Sequence, residues 1–233
     1  MASSLDQVGT FGKTVEDAMI LLQAIAGYDP KDSTSASLDD PASWQDLYQN
    51  FSLEGTKIAL PKQFLGEGLD KGVKESFEEA IELLKSKGAI VDEVDFPELD
   101  LALAVYYILM PAEVSTNLAR LDGIKYGLQK NTFDWPSIYE YYEDIRAEGF
   151  GKETKRRILI GTYVLSEGYY DAYYAQALKL RGKIKEGFDR LFADYDFVVS
   201  PTSPLPAWKL GEKTQDPIQM YLADIYTVPV NLA

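Results

Sequence analysis

Apolar residues recur at helical spacing over most of this chain, and three short runs break that rhythm. Val15, Ala18, Met19, Leu22, Ile25 and Ala26 share one helical stripe. Thr14 precedes it as a cap, Glu16 and Asp17 suit the positive end of a helix, and Gly27 is a natural stop. Residues 70–87 carry a stronger amphipathic stripe of Val73, Phe77, Ala80, Ile81 and Leu84, with Gly88 placed to end the helix. Further helices are expected over 99–121, 136–148, 154–166, 169–192 and, in a shorter piece, 217–225. Pro111 lacks a backbone donor and should kink or break the 99–121 helix. Pro136 suits a first helical turn, and Gly168 separates two of the later helices.

The three runs that break the rhythm read as strands: residues 57–61, 89–96 and 196–201. A strand, a long helix and a strand in that order predict a right-handed βαβ unit with parallel pairing. Residues 29–40 and 122–133 read as loops, and Pro201, Pro204 and Pro206 force another. The fold class is therefore α/β and helix-rich, with about three short, mainly parallel strands covered by several helices. So thin a sheet under so many helices reads as one layer of a larger one. An incomplete sheet is expected, with an uncovered edge, a neighbouring apolar patch and self-association through that edge. Residues 1–233 read as a single unit in three parts: 1–98 strand–helix–strand, 99–195 helical, and 196–233 last strand and substrate loop.

Composition narrows the chemistry. Among 233 residues there is no cysteine and no histidine. Disulfides, thiolate catalysis, a Ser-His-Asp triad and the commonest metal ligand are excluded within the chain. The net charge of −14 opposes a nucleic-acid grip, which needs Lys and Arg against phosphates. No apolar run approaches the ~20 residues of a membrane span, and no secretory signal is visible, so a cytoplasmic setting is expected. Asp92, Glu93 and Asp95 read as a solvated strand face rather than a metal site. Asp29, Asp32, Asp39 and Asp40 lack calcium-loop spacing, and no glycine-rich phosphate loop occurs. The tyrosines from Tyr169 to Tyr174 read as packing.

Four stretches carry a family resemblance. They are Ser3-Ser4-Leu5-Asp6-Gln7 near the start; residues 117–127, with Asn117, Arg120, Asp122 and Gly127; residues 148–162, including Lys155-Arg156-Arg157, which lead into Gly168-Tyr169-Tyr170-Asp171-Ala172-Tyr173-Tyr174; and Pro201-Thr202-Ser203-Pro204 with residues 224–233. Together they resemble the A-subunit family of the glutamyl-tRNA(Gln)/aspartyl-tRNA(Asn) amidotransferases, within the amidase-signature hydrolases, over nearly the whole chain. The resemblance implies a glutaminase that releases ammonia for its partners, the B and C subunits. These use it with ATP to convert Glu-tRNA(Gln) to Gln-tRNA(Gln), so tRNA is met only indirectly. It also implies a Lys with two Ser residues as catalysts, in place of a histidine base. The family's triad lies upstream of Ala2, and no Gly-Gly-Ser segment occurs here. The chain is accordingly expected to be a piece of such a glutaminase, without a catalytic residue, cofactor or metal of its own and inactive alone.

What the resemblance leaves in the chain is a grip for glutamine. A zwitterion needs a cation for its carboxylate and an anion for its ammonium, and a guanidinium suits a carboxylate by its planar fork. By resemblance Arg157 takes the carboxylate, Asp224 takes the ammonium and Tyr106 adds a hydroxyl contact. The residues alone also allow plainer roles: Arg156 and Arg157 as a solvated basic patch, Asp224 as an exposed acid late in a short helix, and Tyr106 as core. Two other classes remain open. One is another amidase-signature amide hydrolase. The other is a stand-alone acidic helical binding module, which would have a complete sheet and a closed, polar surface at both termini.

Overall fold

The computed structural model describes residues 1–37, 44–66, 68–131, 134–212, 220 and 222–233, with backbone alone for 45–47. Helix α1 spans Val15–Ile25 behind a reciprocal cap, in which the Thr14 hydroxyl accepts from the Asp17 amide and the Asp17 carboxylate accepts from the Thr14 amide. A short helix α2, Trp44–Asn50, follows. Strand β1 is Lys57–Pro61, helix α3 is Lys71–Ser86 and strand β2 is Ile90–Val94. Asp70 caps α3 by accepting from the amides of Gly72 and Val73. Gly88 ends that helix at a φ of 93°, a left-handed conformation natural to glycine.

β1 and β2 pair in parallel from Lys57↔Ile90 to Pro61↔Val94. Strand β3, Phe197–Val198, lies parallel on the other side of β1, giving the order β2-β1-β3. The expected βαβ unit and parallel sheet are present. β3 is shorter than the expected 196–201, because its residues leave the ladder before the prolines begin. Ile58, Ala59 and Leu60 make β1 the buried centre. β2 and β3 are the outer strands of the described sheet, and on them Ile90 and Phe197 are exposed at 46% and 48%.

The helical layer is built on α4, Ala102–Leu118, and α7, Ala175–Asp194. Between them in the chain lie α5, Ile138–Gly149, and α6, Lys152–Val164. Helix α8, Val228–Leu232, closes the fold. Val105, Leu109 and Val114 of α4 meet Ile184 and Phe188 of α7, Leu232 of α8 and the N-terminal Ala2 and Leu5 in one core. Burial of each large aliphatic side chain there contributes about 1.5–3 kcal/mol. Phe96 stacks edge-on against Phe188 at 5.0 Å and ties the sheet to α7.

Several expectations need correction. Pro111 does not break its helix: α4 runs through it, with the proline buried. The helical stretch Pro97–Leu118 is 22 residues long and apolar enough by composition to cross a membrane, against the expectation that no run reaches that length. Seven residues of its α4 portion are buried in this fold. The tyrosine run opens α7 with a wide π-type turn, Tyr170–Tyr174, in place of ordinary helix. Two short helices, α2 and α8, were not expected. Of the expected 217–225 helix, residues 217–219 and 221 lie outside the described residues. Met220 and Leu222 are helical, and residues 223–227 form a turn. Asp39, Asp40 and Phe133, at the ends of expected loops, also lie outside the described residues. Apolar surface is extensive: α1 buries none of its residues, and Phe11, Val15 and Ile25 are exposed.

Candidate functional site

Tyr106 projects from α4 half-buried, its ring edge-on to Tyr107 at 5.3 Å. Burial pushes its hydroxyl pKa up. The negative charge of Asp224 pushes it further, and the positive charge of Arg157 opposes. Asp224 stands in the turn before α8, where its carbonyl accepts from the amides of Thr227 and Val228. Its surface is largely exposed, yet surrounding chain desolvates the carboxyl and raises its pKa, and the Arg157 charge pulls it back down. The expected place of Asp224 late in a helix is thereby corrected: it precedes one.

Arg157 lies in the first half of α6, its side chain 25% exposed. Its guanidinium pairs with Glu153 one turn back at 3.0 Å, and Glu153 also pairs with Arg156. Among the described ion pairs Arg157 has Glu153 as its partner and not Asp224. Both arginines pair with Glu153, the Arg156 side chain being 50% and the Arg157 side chain 25% exposed. The fold brings Arg157 and Asp224, far apart in sequence, close enough for their charges to act on Tyr106, and for that of Arg157 to act on Asp224.

Close backbone approach makes this possible. A Cβ at Gly161, one turn beyond Arg157 on the same face of α6, would lie 1.9 Å from the Pro111 carbonyl oxygen of α4. Only glycine lets α6 settle so deeply onto the helix that carries Tyr106. Asp224 also lines a recess of about 380 Å³ with Thr202, Ser203, Trp208 and Thr227. The loop over 201–208 is therefore one wall of the Asp224 side, and the amide of Asp70 anchors it by donating to the Pro204 carbonyl at 2.9 Å.

The N-terminal segment reaches the same region. Asp6 adds to the rise in the Tyr106 pKa. The Asn117 amide group donates to the Ser3 hydroxyl at 2.7 Å, and the Ser4 hydroxyl donates to Glu113. Sequence reasoning overlooked Glu113, Asn117 and Arg181 here. The polar character of Glu113 and Asn117 in a mostly apolar helix was the available signal. The chemistry offered is one cation, one anion and a phenol, of which Asp224 lines the recess. No group of three or more metal-ligating side chains occurs among the described residues.

The model of the Amidase family matches residues 1–233. The A subunit of the glutamyl-tRNA(Gln) amidotransferase of Carboxydothermus hydrogenoformans is 53% identical over 232 residues, covering 100% of this chain and 47% of the relative. That of Microcystis aeruginosa is 56% identical with the same coverage. This chain thus spans about half the length of the curated relatives it matches. Among solved structures, the A subunit of the glutamyl-tRNA(Gln) amidotransferase of Thermotoga maritima superimposes with a TM-score of 0.72 at 38% identity, covering 100% of this chain and 44% of that one. A bacterial aryl acylamidase of the amidase-signature enzymes shares the fold at 16% identity, with a TM-score of 0.64 over 95% of this chain and 43% of that chain.

Proposed function

This chain belongs to the amidase family, and on that premise we propose that it carries the amino-acid-binding half of the glutaminase component of a tRNA-dependent amidotransferase. The whole glutaminase hydrolyses glutamine to glutamate and ammonia. Its partners, the B and C subunits, then use the ammonia with ATP to convert Glu-tRNA(Gln) to Gln-tRNA(Gln) in the cytoplasm, and tRNA contacts this part only indirectly. The Lys and two Ser residues that cleave the amide lie outside residues 1–233. Within the chain, residues 1–98 form the strand–helix–strand part, 99–195 the helical part, and 196–233 the last strand and substrate loop.

One observation supports the reading: Tyr106 of α4 lies within electrostatic reach of both Arg157 of α6 and Asp224 of the turn before α8, and Asp224 within reach of Arg157. Glutamine is a zwitterion at neutral pH. Arg157 can hold its α-carboxylate by two parallel hydrogen bonds, and Asp224 can accept from its ammonium. Tyr106, a phenol that is protonated at neutral pH, supplies a neutral hydroxyl contact. The identity to the A subunits of glutamyl-tRNA(Gln) amidotransferases supports glutamine as the amino acid. The test is Arg157→Ala in the complete enzyme, with glutaminase rate measured against glutamine concentration. The KM for glutamine rises about a hundredfold, the loss of a charged hydrogen-bonded contact of roughly 3 kcal/mol. An unchanged KM would show that Arg157 does not hold the α-carboxylate and would overturn the proposed pocket.

A further inference from the structure

Outside the three proposed ligand contacts, the most completely partnered polar cluster centres on Arg181 of α7. Its Nε donates to the carbonyl of Leu232 at 2.8 Å, one Nη donates to the Ser4 hydroxyl at 2.7 Å, and the other donates to the Ser4 carbonyl at 2.9 Å. On the opposite side Glu113 of α4 accepts from the Ser4 amide at 2.9 Å and from the Ser4 hydroxyl. Every polar group of Ser4 is thus held, its hydroxyl as donor and acceptor at once.

The elements joined in this way are those that carry the proposed glutamine contacts. Glu113 stands seven residues after Tyr106, two turns on and on the same face of α4. Ser4 stands two residues before Asp6, whose charge reaches Tyr106. Leu232 ends α8, and α8 starts at the turn that holds Asp224. A helix of five residues does not hold itself together in water. Its final carbonyls lack partners within the helix, and a cation there is favourable. The Arg181 fork meets that need and grips the N-terminal segment in the same plane, which the single ammonium of a lysine cannot do.

We propose that Arg181 is a positioning residue for the amino-acid pocket, locking the Asp224 turn against the helix of Tyr106 by bridging Leu232 and Ser4. The proposal rests on the glutamine reading for its substrate and on hydrogen bonds alone for its mechanics. Arg181 does not touch the ligand. Its loss lets the Asp224 turn drift from Arg157, and the drift weakens binding of the ammonium and carboxylate together.

Two measurements test this. In the complete enzyme, Arg181→Ala raises the KM for glutamine about tenfold, matching loss of one charge-assisted contact, and leaves kcat close to the parent value. Arg181→Lys falls between the two, and Ser4→Ala adds less to Arg181→Ala than it costs alone. In the 233-residue protein, hydrogen exchange at the Thr227 and Val228 amides, which bond to the Asp224 carbonyl, speeds up about tenfold in Arg181→Ala. A fall in Tm with KM and those two amides unmoved would reduce Arg181 to general stability and overturn the proposal. Should Arg181→Ala fail to fold, a parent-like KM in both Arg181→Lys and Ser4→Ala overturns it equally. A raised KM in Arg157→Ala beside an unmoved one in Arg181→Ala sinks the positioning role and spares the glutamine reading. Faster exchange in Arg181→Ala beside an unmoved KM in Arg157→Ala does the reverse.

Discussion

Gly161→Ala tests whether the contact between α4 and α6 sets the geometry of the site. The added methyl would stand 1.9 Å from the Pro111 carbonyl oxygen, 2.5 Å from its carbonyl carbon and 2.8 Å from the Ser115 Cβ. Carbon and oxygen ordinarily approach to about 3.3 Å, so the helices must part by roughly an ångström. Two of the three atoms are backbone and cannot rotate aside. Overpacking of this kind costs about 1–3 kcal/mol, and a backbone clash belongs at the upper end. Against it, alanine favours a helix interior by about 1 kcal/mol over glycine. The net expectation is a loss of about 2 kcal/mol, or roughly 4–8 °C in Tm for a domain of this size. Gly182→Ala in α7 isolates the propensity term, since an added Cβ there meets nothing within 4 Å. It should stabilise by about 0.5–1 kcal/mol. Urea unfolding of the three proteins side by side separates the effects. If Gly161→Ala is as stable as Gly182→Ala, the close approach is not a constraint and does not explain how Arg157 reaches Tyr106.

Other expectations are simpler. The Tyr141 hydroxyl, in a side chain 1% exposed, donates to the Gly123 carbonyl at 2.7 Å inside the 121–131 loop. Tyr141→Phe leaves that carbonyl short of a donor and should cost about 1–2 kcal/mol, visible as a Tm lower by several degrees; a shift within error would contradict it. Asp224 has its carboxyl pKa raised by burial, so the folded state binds its proton more tightly than the unfolded one. Its contribution to stability is full at low pH and is lost as pH rises through the folded value. Asp224→Asn should therefore lose less stability than the parent protein between acid and neutral pH. Parallel Tm–pH curves would refute that.

Local signals in the sequence proved legible where one residue decides an outcome. Thr14 caps α1 as its position predicts, Gly88 ends α3, and the βαβ order gives parallel pairing; Asp70, read as the first residue of its helix, is the cap of α3. The elements that escaped notice are those whose cause lies elsewhere in the chain. α8 opens with Val228 and Pro229 in an apolar stretch with no helical signal; it is helical because its buried residues pack into the core and Arg181 donates to its last carbonyl. Pro111 reads as a break because it cannot donate to the Tyr107 carbonyl. The helix survives because Pro111, like Leu109, Met110, Ala112 and Val114 around it, is buried in the fold. The tyrosine run has ordinary helical spacing, and nothing in it announces a π turn. Its rings meet at a tilt, Tyr169 against Tyr163 of α6 at 4.3 Å and Tyr170 against Tyr174 at 5.1 Å. Of the site, Arg157, Asp224 and Tyr106 came from resemblance. Periodicity could not have placed them together, because their convergence depends on Gly161 and on the turn before α8.

The pairing of Arg157 with Glu153 bears on how such a pocket would work. A free guanidinium facing a recess would have to be desolvated when a carboxylate arrived. Here Glu153 already occupies that place within the same helix, and pairs of this spacing near a surface contribute only about 0.3–0.5 kcal/mol. Glu153 also holds Arg156, so releasing Arg157 does not leave its carboxylate without a cation. A ligand carboxylate bound by two parallel bonds, with its ammonium against Asp224, would displace so weak a partner readily. The resting ion pair would thus keep Arg157 extended along α6 at little cost to binding. That arrangement needs Arg157 and Asp224 held at a fixed separation. On the proposed reading, the glycine contact between α4 and α6 and the Arg181 bridge to α8 would supply that restraint.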